Sequence, residues 1–505
     1  MSNFLRKLRI NAEQYSDREA IVFGTQRITY KELEEETDKL AAVLSKRLSG
    51  KQVPVIIYHT RGIEFIKMIL AVIKCDCFYI PLEEIYPVDR VRTIYRDINA
   101  EVVISDLLDS DSDMKILNPK TDSIDEDGNW KKEEIERKDQ DIIYVMYTSG
   151  TTGMPKGIAI KDENVDNLIN TFGRVLYSRF EENINVGLIA PFSFDTSVKQ
   201  IYCALYYAKT LVIADNTVRN FGRKIHDFHN KHALTICDAT PSHLKLMLIQ
   251  KSKHPSKLPY LFIGGENLQW SILKEYKEHI NRDCSFVNLY GPTECCVDVS
   301  YNIIEEITHD HGSVPIGKEF DNTTLLIQDE NGQTVTSDGI GELIVYGKQV
   351  GYGYVGNNRS DGYIFNDDGI AIGYRTGDLA MYDDDHNIVI LSRKDRQVKI
   401  NGYRIELGEI ESRIKEYCRT QCHVSFFKTE KKSGLVAFLV SGSDEWNKNE
   451  LSDHLIKYLM PYMIPKEYIF LDSIPLNING KVDEKKLRDI YDAEKNGSVS
   501  VAVNA

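Results

Sequence analysis

Glycine and proline are scarce in this chain. They supply 32 and 14 of 505 residues, about 9% together against roughly 12% in average usage, which excludes a collagen-like or extensively disordered protein. Positive charge is also short: 62 Lys and Arg face 76 Asp and Glu, giving a formal charge of −14. A duplex nucleic-acid binder normally carries a basic footprint, so no nucleic-acid partner is expected, although an acidic chain can still hold a polyanion locally. Long apolar runs are missing. The most apolar stretch, Phe65 to Leu82, is interrupted by Lys67, Lys74 and Asp76 and cannot span a bilayer. Met1 to Ile10 has basic residues but lacks the apolar core of a secretory signal, so no membrane association is expected. The nine cysteines are odd in number and scattered, and the close pairs Cys75/Cys77, Cys295/Cys296 and Cys418/Cys422 do not combine with histidines into a zinc set. Reduced, mostly buried thiols in a cytoplasmic protein are expected.

What is present reads as a folded α/β chain. Apolar residues make 42% and charged residues 27%, and the length allows two to four domains. Thr29-Tyr30-Lys31-Glu32 has capping-box spacing ahead of an amphipathic stripe through Leu33, Leu40, Ala41, Leu44 and Leu48. Strands are expected at Val53–Tyr58, Glu101–Ser105, Asp141–Tyr147, Val186–Ala190, Thr210–Ala214, Ala233–Cys237, Tyr260–Ile263 and Ser285–Leu289. Several are short unbroken apolar runs, as strands buried on both faces should be. Their alternation with helical segments indicates α/β architecture with largely parallel sheets. Lys120 to Asp141 is charge-dense and reads as an exposed connection. Gly317–Gly373, rich in Gly, Asp and Asn between alternating runs, indicates a smaller β-rich subdomain. A polar hinge at 392–397 precedes a last α+β unit, with helices at Glu406–Cys418 and Asn449–Leu459 and a hairpin from His423–Lys428 and Leu435–Ser441. The expected division is a body of residues 1–395 and a small mobile unit of residues 396–505.

The strongest local signal is Tyr147-Thr148-Ser149-Gly150-Thr151-Thr152-Gly153-Met154-Pro155-Lys156-Gly157, directly after an apolar strand. Glycines let the backbone approach a ligand and expose N–H groups, while the hydroxyls and Lys156 add donors to phosphate oxygens. The spacing is not that of the common P-loop. The loop resembles the phosphate loop of the adenylate-forming enzymes, which include acyl-CoA synthetases, luciferases of the firefly type and adenylation domains of non-ribosomal peptide synthetases. Further segments resemble that family in the same order: Ile28–Leu33, Phe78–Leu82, Asn288-Leu289-Tyr290-Gly291-Pro292-Thr293-Glu294, Tyr374-Arg375-Thr376-Gly377-Asp378-Leu379, Lys394–Glu409, Pro461–Pro465 and Asn479-Gly480-Lys481-Val482-Asp483. The resemblance runs from about residue 20 to residue 485, and the amino-acid-activating branch fits best. It implies the adenylate-forming fold, a large N-terminal body with a mobile C-terminal lid.

The resemblance also implies a function. ATP and Mg²⁺ would be used to convert an amino acid to its aminoacyl-adenylate with release of pyrophosphate. The acyl group would then pass to the phosphopantetheine thiol of a separate carrier protein. Thr148, Lys156, Glu294 and Lys481 would form the catalytic set. The nucleotide would be held by Thr148, Ser149, Gly150, Thr151, Thr152, Gly153, Lys156, Gly265, Glu266, Asn288, Tyr290, Gly291, Thr293, Asp378, Arg393 and Lys481. Tyr290 could stack on the base, the Asn288 amide could pair with the adenine edge, and Asp378 is suited to the ribose hydroxyls. Glu294 offers a hard oxygen to Mg²⁺. Asp395 would be the hinge pivot, and Lys399 and Gly402 would belong to the face presented for thioester formation. Ser392, where the family usually has Gly, is the one departure.

Carried over position by position, the substrate pocket would comprise Asp195, Thr196, Lys199, Asp238, Phe262, Gly264, Leu289, Val297 and Asp298, with Lys481 on the carboxylate. Asp195 would grip the α-ammonium; a surface ion pair with Lys199 four residues on is the bland alternative. Lys199, Asp238 and Asp298 at the side-chain end resemble pockets of glutamate-activating domains. Lys199 would pair with the side-chain carboxylate while the aspartates orient it. Charge counting alone leaves a net negative end, suited to ornithine or lysine. A D-alanine–carrier protein ligase is the nearer rival, and these three charges would stand unpaired around its methyl group. An acyl-CoA synthetase is weakened by Asp195, and a non-catalytic scaffold by the full set of Lys156, Glu294, Asp378 and Lys481.

Overall fold

A computed structural model describes residues 3–111, 113–119, 137–150, 154–180, 183–336, 339–356, 362–428, 433–440, 447–477 and 481–495. Two large sheets form the body. The nine-stranded sheet runs in the order Lys318–Glu319, Ser300–Ile304, Ser285–Tyr290, Tyr260–Ile263, Ile236–Ala239, Asn185–Leu188, Thr210–Ile213, Glu19–Phe23, Gln26–Thr29. Its six central strands are parallel. The seven-stranded sheet is built around Ile142–Thr148, Phe78–Glu83, Pro54–His59 and Val102–Ser105, again parallel. These strands are buried across nearly their whole length, which is why they read as continuous apolar runs.

The expected capping box is formed: Glu32 N–H donates to Thr29 Oγ1 at 3.2 Å, and Thr29 N–H donates to Glu32 Oε2 at 2.8 Å. Its helix, Tyr30–Ser45, packs on Ile63–Lys74. Helix Asp195–Tyr206 is buried along most of its length, because helix Asn3–Gln14 lies against it and Asn11 Nδ2 donates to the Leu205 and Tyr206 carbonyls. The expected start at Ala233 of one strand is late by three residues. Ala233 adopts φ 44°, a left-handed turn that closes helix Gly222–Lys231, and the strand begins at Ile236.

The β-rich subdomain is an antiparallel sheet of Thr323–Gln328, Gly341–Gly347, Ala371–Tyr382 and Tyr363–Phe365, with Ile388–Arg393 paired to the long strand. After Asp395 follow the hairpin Gln397–Ile400/Tyr403–Glu406 and helix Leu407–Cys418. A three-stranded sheet of Cys422–Lys428, Ser433–Val440 and Glu467–Leu471 completes this part. Its apolar residues Ile405, Leu407 and Ile410 share one core cluster with Ile80, Val91 and Ile94 of the body. All nine cysteines are free thiols and eight are buried. Among the described residues no helix is long and apolar enough to cross a membrane.

Candidate active site

One cavity of about 360 Å³ lies where the ends of the nine-stranded sheet, the 148–156 turn and the segment after Asp395 meet. The topology explains its place, since ligands of parallel α/β sheets bind beyond the carboxyl ends of the strands. Strand Ile142–Thr148 pairs antiparallel with Lys156–Lys161, placing Thr148 opposite Lys156 across the turn. Gly150 is obligatory there: a Cβ would stand 2.0 Å from the Met154 carbonyl oxygen. Thr151, Thr152 and Gly153 lie outside the described residues.

The sequence-derived set divides into groups. Thr148, Ser149, Asp195, Thr196, Lys199, Asp238, Gly264, Gly265, Gly291, Thr293, Val297, Asp298, Asp378, Arg393, Lys399 and Gly402 line the cavity. Phe262 and Leu289 are buried behind it; Phe262 stacks on Phe172 with centroids 6.2 Å apart. Glu266 is turned to Ser242, which donates to it at 2.7 Å.

Asn288 lies off the cavity wall, and its Nδ2 donates to the Pro315 carbonyl at 2.9 Å, which leaves the expected pairing with a base to its Oδ1. Tyr290 donates its hydroxyl to Asp378 Oδ2 at 2.5 Å, and Arg393 holds Asp378 Oδ1 at 3.0 Å. The phenol is thereby held at its hydroxyl in a polar chain with Asp378 and Arg393. Arg393 also clasps Asp395, at 3.0 and 2.5 Å. The expected pivot is therefore exposed but ion-paired.

Helix Asp195–Tyr206 begins at Asp195. Burial raises the Asp195 carboxyl above its ordinary value, with donors on Thr293 and Thr196 opposing. Lys199, one turn on, ignores Asp195. Its ammonium lies 2.6 Å from Asp238 Oδ1 and 3.1 Å from Asp298 Oδ2, and 5.5 Å from the centre of the Phe172 ring. Gln200 donates to the second Asp238 oxygen at 2.9 Å. The expectation of charges left unpaired around a small substrate is therefore overturned, because the three groups neutralise one another in part. Burial would lower the lysine, but both carboxylates hold it well above its usual value. Burial lifts the Asp298 carboxyl to about 6 despite Lys199. Gln200 was not singled out from sequence; five residues after Asp195 it falls off the i, i+4 face shared by Asp195 and Lys199, so helical spacing gave no signal for it.

The segment after Asp395 reaches into this site. Arg404 Nη1 lies 2.8 and 2.9 Å from the two oxygens of Glu294, and the Tyr354 hydroxyl donates to the same carboxylate at 2.7 Å. Glu294 is fully buried. Burial would raise its carboxyl, but Arg404 and Tyr354 bring it below the ordinary value. The Gly150 N–H donates to Glu409 Oε2 at 3.1 Å, and Ser149 Oγ donates to the Arg404 carbonyl at 3.1 Å. Donors suited to phosphate thus hold a carboxylate and a carbonyl. Gly402, at φ 81°, passes so close to the body that a Cβ would stand 2.8 Å from Thr240 Cγ2. Tyr403 stacks on Tyr462, with centroids 3.9 Å apart, and meets Phe194 edge-to-face at 5.0 Å. Lys399 faces Asp195 and lowers its proton affinity. Lys481 is exposed and outside the cavity wall, its N–H donating to Asn477 Oδ1 at 3.1 Å. Sequence reasoning missed Arg404 and Glu409 as site residues, although both sit in the 394–409 block.

No group of three His, Cys, Asp or Glu that could hold a metal exists among the described residues, so a magnesium ion would rely on a carboxylate such as that of Glu294. That fits Mg²⁺, which commonly takes one or two carboxylates together with substrate phosphates, provided Arg404 has moved away.

The sequence model of the family described as AMP-binding enzyme matches residues 8–355. The chain belongs to that family. Bacitracin synthase 1 of Bacillus licheniformis is 32% identical over 97% of this AMP-binding enzyme, which spans only 9% of the synthase. The D-alanine--D-alanyl carrier protein ligase of Bacillus licheniformis is 30% identical over 95% of this chain and 97% of its own length. Among solved structures, the Vibrio cholerae adenylation domain AlmE, in complex with glycyl-adenosine-5'-phosphate, superposes with a TM-score of 0.83 at 23% identity over 98% of both chains. The AMP-binding enzyme therefore has the adenylate-forming fold, and its relatives are AMP-forming ligases.

Proposed function

We propose that this AMP-binding enzyme activates an amino acid with ATP and transfers it to the phosphopantetheine thiol of a separate carrier protein. The observation that carries the reading is Asp195, a carboxylate at the cavity wall beside the phosphate turn, able to grip an α-ammonium. In the first half-reaction a substrate carboxylate oxygen bonds to the α-phosphorus of ATP and the bond to pyrophosphate breaks. Positioning and charge neutralisation dominate such a step. Mg²⁺ held at Glu294 would neutralise phosphate charge. Lys481, brought in by rotation of residues 396–505 about Asp395, would bridge the carboxylate and the α-phosphate. In the second half-reaction the thiol sulfur bonds to the acyl carbon, AMP leaves with the oxygen, and the thiol proton passes to solvent. The orientation described above suits this second step: Lys399 and Gly402 face the cavity, Lys481 does not, and Glu409 and Arg404 fill the positions that ATP phosphates and their metal would need.

The favoured substrate is glutamate. Its side-chain carboxylate would join Lys199, and Asp298, with a carboxyl near 6, would take up a proton and donate to the incoming oxygen. On this reading the KM for glutamate rises as pH climbs above about 6. D-Alanine is a second reading, favoured because the Lys199–Asp238–Asp298 cluster is already paired within itself and can serve as a closed pocket floor. Amino-acid-dependent ATP–pyrophosphate exchange over Glu, Gln, Orn, Lys and D-Ala tests the proposal. Exchange with D-Ala and none with Glu or Gln would discard glutamate, and exchange with no amino acid would discard the activity.

A further inference from the structure

The cavity extends past Thr240 towards helices Gly222–Lys231 and Pro241–Ile249, where Arg219, Asn220, His243 and Leu246 line it. Arg219 stands on the single turn Val218–Asn220. Its Nε and Nη1 are shut off from solvent without a hydrogen-bond partner. The other arginines lining the cavity have carboxylates: Arg90 has Glu409, Arg393 has Asp378, and Arg404 has Glu294. The field of Arg219 reaches Glu83, but Glu83 already takes Arg61 at 3.1 Å and the Phe192 N–H at 3.0 Å. His243 beside them is held neutral, its imidazole pushed down to about 4 by burial and by Arg219.

The adjoining surface has the same sign. Residues 219–257 carry eight Lys and Arg against two Asp in a chain whose net charge is −14. Exposed Phe221 and Ile249 sit there among Arg223, Lys224 and Lys251. Such a field draws anions to the mouth, and two buried guanidinium donors without an acceptor are costly until an anion supplies one. The nucleotide's phosphates have their own donors at residues 148–156, so this cation awaits a different anion.

We propose that Arg219 is the phosphate-binding residue of the thiol channel, receiving the phosphate of the phosphopantetheine arm while Lys399 and Gly402 frame the reacting end. The proposal rests on the transfer reading above. It is tested by thioester formation from the preloaded aminoacyl-adenylate with 4′-phosphopantetheine and with pantetheine, using the full chain and its Arg219→Gln and Arg219→Lys variants. Arg219→Gln is expected to raise the KM for phosphopantetheine about tenfold or more and that for pantetheine less than twofold, with Arg219→Lys keeping most of the preference. Equal rises for the two thiols, or a rise in the KM for ATP in their place, overturn the assignment. Wild-type transfer to both thiols without a phosphate preference also overturns it and leaves the transfer reading standing; no transfer to either thiol contradicts both.

Discussion

Arg404→Ala probes the coupling between the two half-reactions most sharply. The substitution strips both Glu294 oxygens of a cation 2.8 and 2.9 Å away and leaves neutral donors, among them the Tyr354 hydroxyl at 2.7 Å. Removing one partner of a buried ion pair costs about 3–5 kcal/mol, because the other charge stays buried. The Arg404 side chain is 21% exposed, so water can enter the vacated space and the lower end, about 3 kcal/mol, applies. Swinging residues 396–505 away lets Glu294 regain solvent or metal, so the penalty falls on the docked orientation alone. At about 1.4 kcal/mol per tenfold, docking weakens about 100-fold, while Ser149–Glu406, Gly150–Glu409 and Arg90–Glu409 still favour it. Single-turnover thioester formation should fall towards that factor, with pyrophosphate exchange falling no more than a few-fold. A distance probe across Asp395, read by fluorescence transfer, should report a smaller docked fraction. Unaltered thioester formation, or an equal loss of both half-reactions, would refute the reasoning.

Other consequences are simpler to test. Lys481→Ala should cut pyrophosphate exchange by orders of magnitude with an unchanged thermal transition, the residue being exposed in the docked orientation; near-normal exchange would remove it from the mechanism. Lys199→Gln should move the exchange profile from glutamate towards glutamine, and an unchanged profile would leave Lys199 a structural partner of Asp238 and Asp298. The Asp298 carboxyl binds its proton more tightly in the folded chain, near 6, than at its ordinary 3.8. Its contribution to stability is therefore present at low pH and is lost as pH rises from about 4 to about 6. Denaturant titrations should show Asp298→Asn flattening that part of the profile, and an unaltered slope would contradict the shift.

Much of the fold and of the site was legible in the sequence for a local reason. Thr148, Ser149, Gly150 and Lys156 are neighbours on one turn, and the glycine spacing that lets a backbone approach phosphate is written consecutively. The buried strands announced themselves as unbroken apolar runs. What escaped depends on contacts between distant segments. Lys199, Asp238 and Asp298 come from a helix start, a strand end and the approach to another strand, so their mutual pairing cannot be read from spacing. Asn288 reads as an amide with both ends open, but the chain returning through Val314 and Pro315 presents carbonyls that take its Nδ2 donors. Arg404 and Glu409 gain their meaning from the docking of one part of the chain on another, and the same docking leaves Lys481 outside the cavity. On the proposed two-step cycle the chain would have two partner sets, and no single-sequence pattern states which is assembled.

The central claim is that this AMP-binding enzyme activates an amino acid at the cavity framed by Asp195, the phosphate turn and the Lys199 cluster. The most direct measurement is amino-acid-dependent ATP–pyrophosphate exchange, with wild type and Asp195→Ala side by side across the panel. The account predicts strong wild-type exchange with glutamate and its loss in Asp195→Ala; exchange that needs no amino acid, or that survives without Asp195, would contradict it.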